Sequence, residues 1–257
     1  LKYVPKSWLN WAMTVWSLRT KAWTKNFNYV LKRYGHKPFN NLMALWEADY
    51  MLIAETPDIT GVTQLPPNWH YVGPIFAHLD TKIPPETQAW IENHAQKKLI
   101  YCAMGSSGNQ NIVQQVIQAF GKTDYSVIAP VQAHGITQVP ANVLVTGWLP
   151  APYVNGLADL AVIHGGHGTV QTACASGTPF VGIGMQPEQE WNIDFIVRKG
   201  SAIRLSRREV TPNQLINAID YLAQNQMAHD VAKQIQSEYS KWDGAKLSAE
   251  FIISHFK

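Results

Sequence analysis

The sequence predicts an α/β protein built on a parallel sheet with flanking helices, and three observations predict it. First, apolar runs of four to seven residues recur between residues 98 and 205, separated by helix-like stretches. Alternation of that kind signals βα units rather than a bundle or a sandwich. Second, the helix-like stretches carry end signals: Gly177 and Gly200 close two of them, and Thr211 followed by Pro212 opens a third. Third, the run ADLAVIH (158–164) ends in a histidine and then meets three glycines in four residues before a helical pattern resumes. In a parallel sheet, ligands sit outside the carboxyl ends of the strands, near such helix N-termini.

The elements follow in order. Residues 1–34 read as helix: Trp8, Trp11, Val15, Leu18 and Ala22 repeat at spacings of three and four, and Trp16, Trp23, Phe27, Val30 and Tyr34 do the same on a second face. Gly35 is the expected C-cap and Pro38 the stop. ADYMLIAET (48–56) reads as a strand ending at Pro57, and the Pro- and Gly-rich stretch after it as a surface linker. The repeating part begins with strand KLIYCAM (98–104), the turn GSSGN and a helix over 110–120. Strands YSVIAPV (125–131) and NVLVTGW (142–148) follow, then a short helix or turn in PAPYVNGL. After strand 158–164 come a helix over 168–176, strand PFVGIG (179–184), a helix over 188–199 and strand AIRL (202–205). A helix from Thr211 to Gln224 and a last helical stretch from Met227, broken at Gly244, complete the chain.

Composition narrows the class. The 257 residues are 46% hydrophobic and 15% charged, which suits a folded chain of one large or two ordinary domains. No apolar run reaches the roughly 18–20 residues that span a bilayer, and no secretory signal pattern is present. Cys102 and Cys174 lie inside apolar patterns and read as buried free thiols of a reducing compartment, so a cytoplasmic location is expected. The net charge of +3 is uneven: eight of the 21 Lys and Arg fall in residues 1–46, where there is no acid, leaving 13 against all 18 acidic residues in the remainder.

The glycine loop invites an anion. His164 ends the strand, Gly165, Gly166 and Gly168 follow, and Thr169 opens the next helix. A helix N-terminus presents unpaired N–H groups and about half a positive charge, so its natural ligand is a phosphate or diphosphate. The usual phosphate loops do not fit. No Lys follows the glycines, and GHGTVQ (166–171) has Gln171 where a dinucleotide fingerprint needs its third glycine. The nucleophile elbow G-x-S-x-G is absent. No two aspartates stand at D-x-D spacing, and His164 and His167 lack partners at metal-ligand spacing. Metal-free binding by backbone and helix dipole is the chemistry left, beside the plainer reading of a tight βα turn.

The segment VTGWLPAPYVNGLADLAVIHGGHGTVQTACASGTPFVGIGMQPEQEWN (145–192) resembles the donor-binding signature of the UDP-glycosyltransferase superfamily, in particular its bacterial macrolide-, sterol- and lipid-glycosylating branch. Four ordered elements carry the resemblance: a Gly-Ser turn after a strand, Trp-x-Pro, the His-Gly-Gly loop and a carboxylate–Gln pair. It extends over about residues 70–240. It implies the GT-B architecture, of which this chain would supply the Rossmann-like C-terminal half. It also implies roles. Trp148 would stack on the uracil with the Leu149 backbone reading the base edge; in a chain with ten Trp, core packing is the other reading. Ser106, or its neighbour Ser107, would touch the phosphates. His164, with Gly166, His167, Gly168 and Thr169, would hold the diphosphate. Glu188 and Gln189 would hydrogen-bond sugar hydroxyls, a carboxylate and an amide together accepting and donating. Glu188 stands where the family more often has Asp, and Thr169 where Ser is frequent.

The resemblance implies an inverting, metal-independent transferase that uses a UDP-sugar as co-substrate and no other cofactor. It places the general base, a histidine, in the N-terminal acceptor domain, and nothing in residues 1–46 fits that role; no catalytic residue is therefore assigned. The expected organisation is a helical remnant and last strand of the acceptor domain (1–60), an interdomain linker (61–97), the donor-binding domain (98–226) and a C-terminal helix (227–257). The chain, which begins at Leu1, is expected to be a fragment or one half of a split enzyme, completed by a missing acceptor domain or a partner chain. A non-catalytic nucleotide-sugar-binding subunit is the alternative, and a GT-B epimerase a third reading that the Trp-x-Pro and Glu-Gln elements disfavour. The acceptor is unassigned among lipid, sterol and natural-product classes. The basic, Trp-rich N-terminal helix is expected to pack on the acceptor half, with peripheral contact to an anionic membrane as the second reading. No nucleic-acid motif is present.

Overall fold

The computed structural model describes residues 8, 11–12, 15–16, 24–41, 43–76, 82–106, 108–208 and 210–256. The chain divides into two compact units: Leu1–Met51 with Pro66–His70, and Leu52–Leu65 with Tyr71–Lys257. Residues 52–60, grouped with the N-terminal region by sequence, thus fall in the second unit, as does most of the expected linker.

In the first unit, Trp8, Trp11, Ala12, Val15 and Trp16 are helical. Leu18, Ala22 and Trp23 of the expected helix lie outside the described residues. Helix α1 (Lys25–Arg33) ends with Lys32 and Arg33 in its last turn, which suits the negative end of the helix dipole. Gly35, at φ +75°, takes the left-handed conformation that terminates it, as the sequence indicates. Asn28 then clasps the returning chain. Its amide donates to Phe39 O at 3.0 Å, and its Oδ1 accepts from Phe39 N at 2.7 Å. Much of the apolar pattern remains uncovered: Trp8, Trp11, Trp16, Phe27, Val30 and Tyr34 are all exposed.

The second unit holds a six-stranded, wholly parallel sheet: β3 (Leu99–Ala103), β4 (Ser126–Ala129), β5 (Val143–Val145), β6 (Leu160–Ile163), β7 (Phe180–Gly182) and β8 (Ala202–Arg204), in the spatial order β5-β4-β3-β6-β7-β8. Strands β1 (Met51–Ile53) and β2 (Trp69–Tyr71) precede the sheet in the chain and form a separate two-stranded pair. All six predicted strands of the repeating part are present, most of them shorter than their apolar runs. The register at the centre pairs Ile100 with Leu160 and Cys102 with Val162. Asp159 sets it, because its Oδ2 accepts from Leu99 N at 2.7 Å.

Side chains alternate between two cores, one on each face. Ile100, Cys102, Val127, Ala129, Leu160 and Val162 meet helices α4 (Gln110–Phe120) and α8 (Pro212–Gln224). Leu99, Tyr101, Ala103, Ile128, Ala161 and Ile163 meet α5 (Ala151–Leu157), α6 (His167–Ser176), α7 (Pro187–Lys199) and α9 (Gln226–Tyr239). Each fully buried chain such as Phe120 or Phe180 contributes about 1.5–3 kcal/mol by leaving water. Both cysteines are free and buried, as expected, and burial pushes the Cys102 thiol up to about 12. The caps legible in sequence are in place: Gly177 and Gly200 are left-handed, and Thr211 forms a reciprocal capping box with Gln214 around Pro212.

The expected linker holds two elements that the sequence reading did not place, β2 and helix α3 (Pro85–Asn93). Its Pro-Pro pair reads as a breaker, but Pro85 occupies the first helical turn, where its missing N–H costs nothing. Trp90 of α3 packs on the core and donates to Ser126 Oγ at 2.8 Å. The C-terminal stretch breaks where the sequence indicates: it is two helices, α9 and α10 (Gly244–His255), and Gly244 opens the second, capped by Asp243.

Candidate functional site

The strand order places the reversal of winding between β3 and β6, and the carboxyl ends at such a point open a crevice for a ligand. The turns after these two strands touch through His164. Its backbone N–H donates to Ala103 O at 3.2 Å, and its ring Nδ1 lies 3.2 Å from the same carbonyl. A carbonyl only accepts, so Nδ1 carries the proton. Burial keeps the imidazole below the usual histidine range despite that hydrogen bond and the nearby Glu188. His164 is thus the neutral Nδ1–H tautomer near pH 7. The sequence reading has His164 hold the diphosphate; in this tautomer Nε2 offers a lone pair, and donation to a phosphate would require a second proton.

The glycines differ in what they do. Gly105 (φ +60°) and Gly166 make room for the His164 ring, which lies 2.5 Å from where a Cβ would sit on either. Gly165 (φ +82°) packs against α7, its carbonyl accepting from Asn192 Nδ2 at 3.1 Å. Gly168 has nothing within 4 Å of its would-be Cβ, although it lies in the first turn of α6. Packing accounts for the first three and leaves Gly168 without a structural reason. Gly168→Ala is expected to leave stability unchanged or raise it by up to about 1 kcal/mol. The same variant should weaken binding of a diphosphate that approaches that backbone. Thermal melts beside nucleotide titrations check this, and unweakened binding would remove Gly168 from the site.

The α6 N-terminus supplies donors. Thr169 N–H and Val170 N–H both go to Gly166 O at 3.0 Å, and the Thr169 hydroxyl joins them at 2.7 Å. Thr169 is therefore committed internally. Among the described residues, the N–H groups of His167 and Gly168 have no backbone acceptor. The imidazole of His167 is about half exposed and meets Glu55 at 3.4 Å. The hydrogen bond to Glu55 raises it above the usual histidine range, against the opposing effect of burial, with Glu188 adding in the same direction.

The remaining candidates line the same edge. Ser106 is exposed in the turn after β3, and Ser107 lies outside the described residues. Strand β5 ends at Val145, so Gly147 and Trp148 stand beyond it. Trp148 is 65% exposed, which rules out core packing for it, while Leu149 is buried. Glu188 and Gln189 part company at the start of α7. Glu188 is exposed, its Oε1 accepting from Asn192 Nδ2 at 2.6 Å. Gln189 is buried, its Oε1 taken by Met185 N–H at 2.8 Å.

Sequence reasoning missed His134, whose Nε2 donates to Gly105 O at 2.6 Å and ties the loop after β4 to the turn after β3. It missed Gln132, whose Oε1 lies 3.1 Å from a would-be Cβ on Gly147. Neither lies in a motif; only their place after a strand marks them. With them the rim is continuous from β5 to α7, through Gly147, Gln132, His134, Gly105, His164, Gly166, Asn192 and Glu188.

The strand order and the loops at its reversal point define the second unit as a Rossmann-type α/β domain. Comparison with known proteins gives the family. The family model described as "Erythromycin biosynthesis protein CIII-like, C-terminal domain" matches residues 114–242, half of the chain, and the chain belongs to this family, within the GT-B UDP-glycosyltransferase superfamily. It is similar to the "PGL/p-HBAD biosynthesis glycosyltransferase" of Mycobacterium tuberculosis, 27% identical over 194 residues, covering 75% of this chain and 45% of that protein. It is similar also to the "PGL/p-HBAD biosynthesis rhamnosyltransferase" of Mycobacterium bovis, 27% identical over 195 residues, covering 75% of this chain and 43% of that protein. The chain thus spans under half the length of these relatives. The crystal structure of the glycotransferase of kitacinnamycin superposes with a TM-score of 0.72 at 21% identity, over 98% of this chain and 68% of that one. That of glycosyltransferase VinC in complex with dTDP superposes with a TM-score of 0.56 at 19% identity, over 70% and 45%. At these identities the superpositions speak for the fold.

Proposed function

We propose that this chain is the donor-binding part of an inverting glycosyltransferase, which takes a sugar from a nucleoside diphosphate sugar, with UDP as the nucleotide, without a metal. The observation that carries the reading is the continuous rim from exposed Trp148 to exposed Glu188, with uncommitted α6 N–H groups between them. Three strand spacings of about 4.8 Å separate β5 from β6, which leaves room for an extended nucleoside between Trp148 and the α6 N-terminus. In this pose the base lies on Trp148, the diphosphate meets the N–H groups of His167 and Gly168, and the sugar reaches Glu188.

The chemistry follows from the pose. The acceptor oxygen attacks the anomeric carbon from the face opposite the diphosphate, the bond from that carbon to the diphosphate oxygen breaks, and configuration inverts. Negative charge grows on the departing diphosphate, where preorganised backbone donors and a helix dipole stabilise it. The acceptor loses its proton to a base outside the residues that match the family. An acceptor-binding part, in the same polypeptide or a partner chain, completes the enzyme. The uncovered Trp8, Trp11 and Trp16, in a region rich in Lys and Arg, fit a surface that packs on that part.

Calorimetric titration of the 257-residue chain with UDP, dTDP and GDP tests the reading. Binding of UDP, tighter than of GDP, is expected. Binding of dTDP in preference to UDP would keep the donor site and change the base, and binding of none of the three would overturn the proposal.

A further inference from the structure

The diphosphate site has a partner in a part of the chain that lies outside the family match. Glu55 sits in the turn between β1 and the short helix α2 (Pro57–Thr60), and only 8% of its surface is exposed. A buried carboxylate is costly unless it is paired and hydrogen-bonded. Here Oε1 accepts from the Tyr239 hydroxyl of α9 at 2.6 Å and from Thr56 N–H at 2.9 Å, while Oε2 faces His167 Nε2 at 3.4 Å. The turn is pinned on both sides: Ala54 O accepts from Gln171 Nε2 of α6 at 2.5 Å, and Asp58 pairs with Lys199 of α7 at 2.9 Å. Glu55 is therefore fixed in place before any ligand arrives.

The groups around the pair favour a cation on His167. Glu55, chiefly through its hydrogen bond, and Glu188 both raise the imidazole. Tyr239 stays a phenol and Cys174 a thiol, because burial and the neighbouring carboxylate push both up. His164 stays neutral through burial. A cation at this position is out of place for the fold alone, since His167 is the first residue of α6, the positive end of the helix dipole. It makes sense if an anion of more than one charge is to be bound there. With Nε2–H directed to Glu55, Nδ1 is the nitrogen that gains or loses the proton.

We propose that Glu55, braced by Tyr239, is a positioning residue that holds His167 as a fixed cation for the donor diphosphate, so that donor affinity follows the protonation of His167. This rests on the diphosphate reading above. The sign is determined by the pair: the cation is present at low pH and is lost as pH rises through the raised value of His167.

The test is calorimetric titration of the full chain with UDP between about pH 5.5 and about pH 8.5, bracketing the histidine range, on the wild type, His167→Gln, Glu55→Gln and Tyr239→Phe. The terminal phosphate of UDP titrates near pH 6, equally for every variant, so the readout is the ratio of Kd between variant and wild type. His167→Gln is expected to bind about tenfold more weakly at low pH, the worth of one charge-assisted hydrogen bond, and equally well at high pH. Glu55→Gln should shift the pH at which the wild-type advantage disappears. Tyr239→Phe, which keeps the carboxylate, should shift it less and covers the case that Glu55→Gln fails to fold. A His167→Gln ratio constant across pH, or variants of Glu55 and Tyr239 that leave the profile in place, overturns the inference. Failure of UDP to bind at any pH overturns the donor reading instead. In that case an NMR titration of the His167 imidazole, wild type against Tyr239→Phe, still reads whether Glu55 controls its charge.

Discussion

Gly165→Ala is expected to lose about 3 kcal/mol of stability, combining the left-handed backbone penalty with overpacking. Gly165 has φ +82°, and an added Cβ would lie 2.5 Å from Ile193 Cδ1 and 2.7 Å from Gln189 O. Ile193 is fully buried in the core beneath the sheet, and a backbone carbonyl inside α7 has no room to move. Relief would require α7 to shift, taking with it Asn192, which holds the Gly165 carbonyl, and Glu188. In a domain of this size the loss corresponds to a fall of roughly 10 °C in Tm, and nucleotide binding should fall with it. Gly156→Ala in α5 is the control, since its would-be Cβ meets nothing within 4 Å and its φ is not positive. It should be neutral or stabilising by up to about 1 kcal/mol. Thermal melts of the two variants decide the matter; equal Tm values would refute the packing argument.

Trp148→Ala should do the reverse, leaving the fold intact and removing binding. Because 65% of the Trp148 surface is exposed, its loss should change stability by no more than about 0.5 kcal/mol. Base–aromatic stacking is worth about 1–3 kcal/mol, so the Kd for UDP should rise by roughly tenfold to a hundredfold. A variant that melts with the wild type and binds UDP equally well would show that the ring does not hold the base.

Much of the second unit was legible because its signals are local. The apolar runs mark strands whichever neighbours they find. The left-handed glycines at 177 and 200 and the Thr211–Gln214 box act within one helical turn. Helix α3 is illegible for the same reason: prolines read locally as breakers, while the packing of Trp90 that secures α3 depends on a strand 36 positions later. The site was half legible. The glycine loop reads as an anion-binding turn, but its three glycines and Gly105 in the neighbouring turn serve different ends. Gly105 and Gly166 accommodate a histidine ring, Gly165 a helix, and Gly168 open space.

The sequence by itself determined the α/β class, the strand and cap positions, the family signature and the residue types gathered at one edge of the sheet. Those follow from periodicity, turn chemistry and short motifs, each contained within a few residues. Only the tertiary structure decided the order of the strands, the tautomer of His164, the burial of Gln189 beside exposed Glu188, and the meeting of Glu55 with His167 across 112 positions of chain. Pairing, burial and charge at these points depend on which distant segments the sheet brings together, and that information resides in packing rather than in any local pattern.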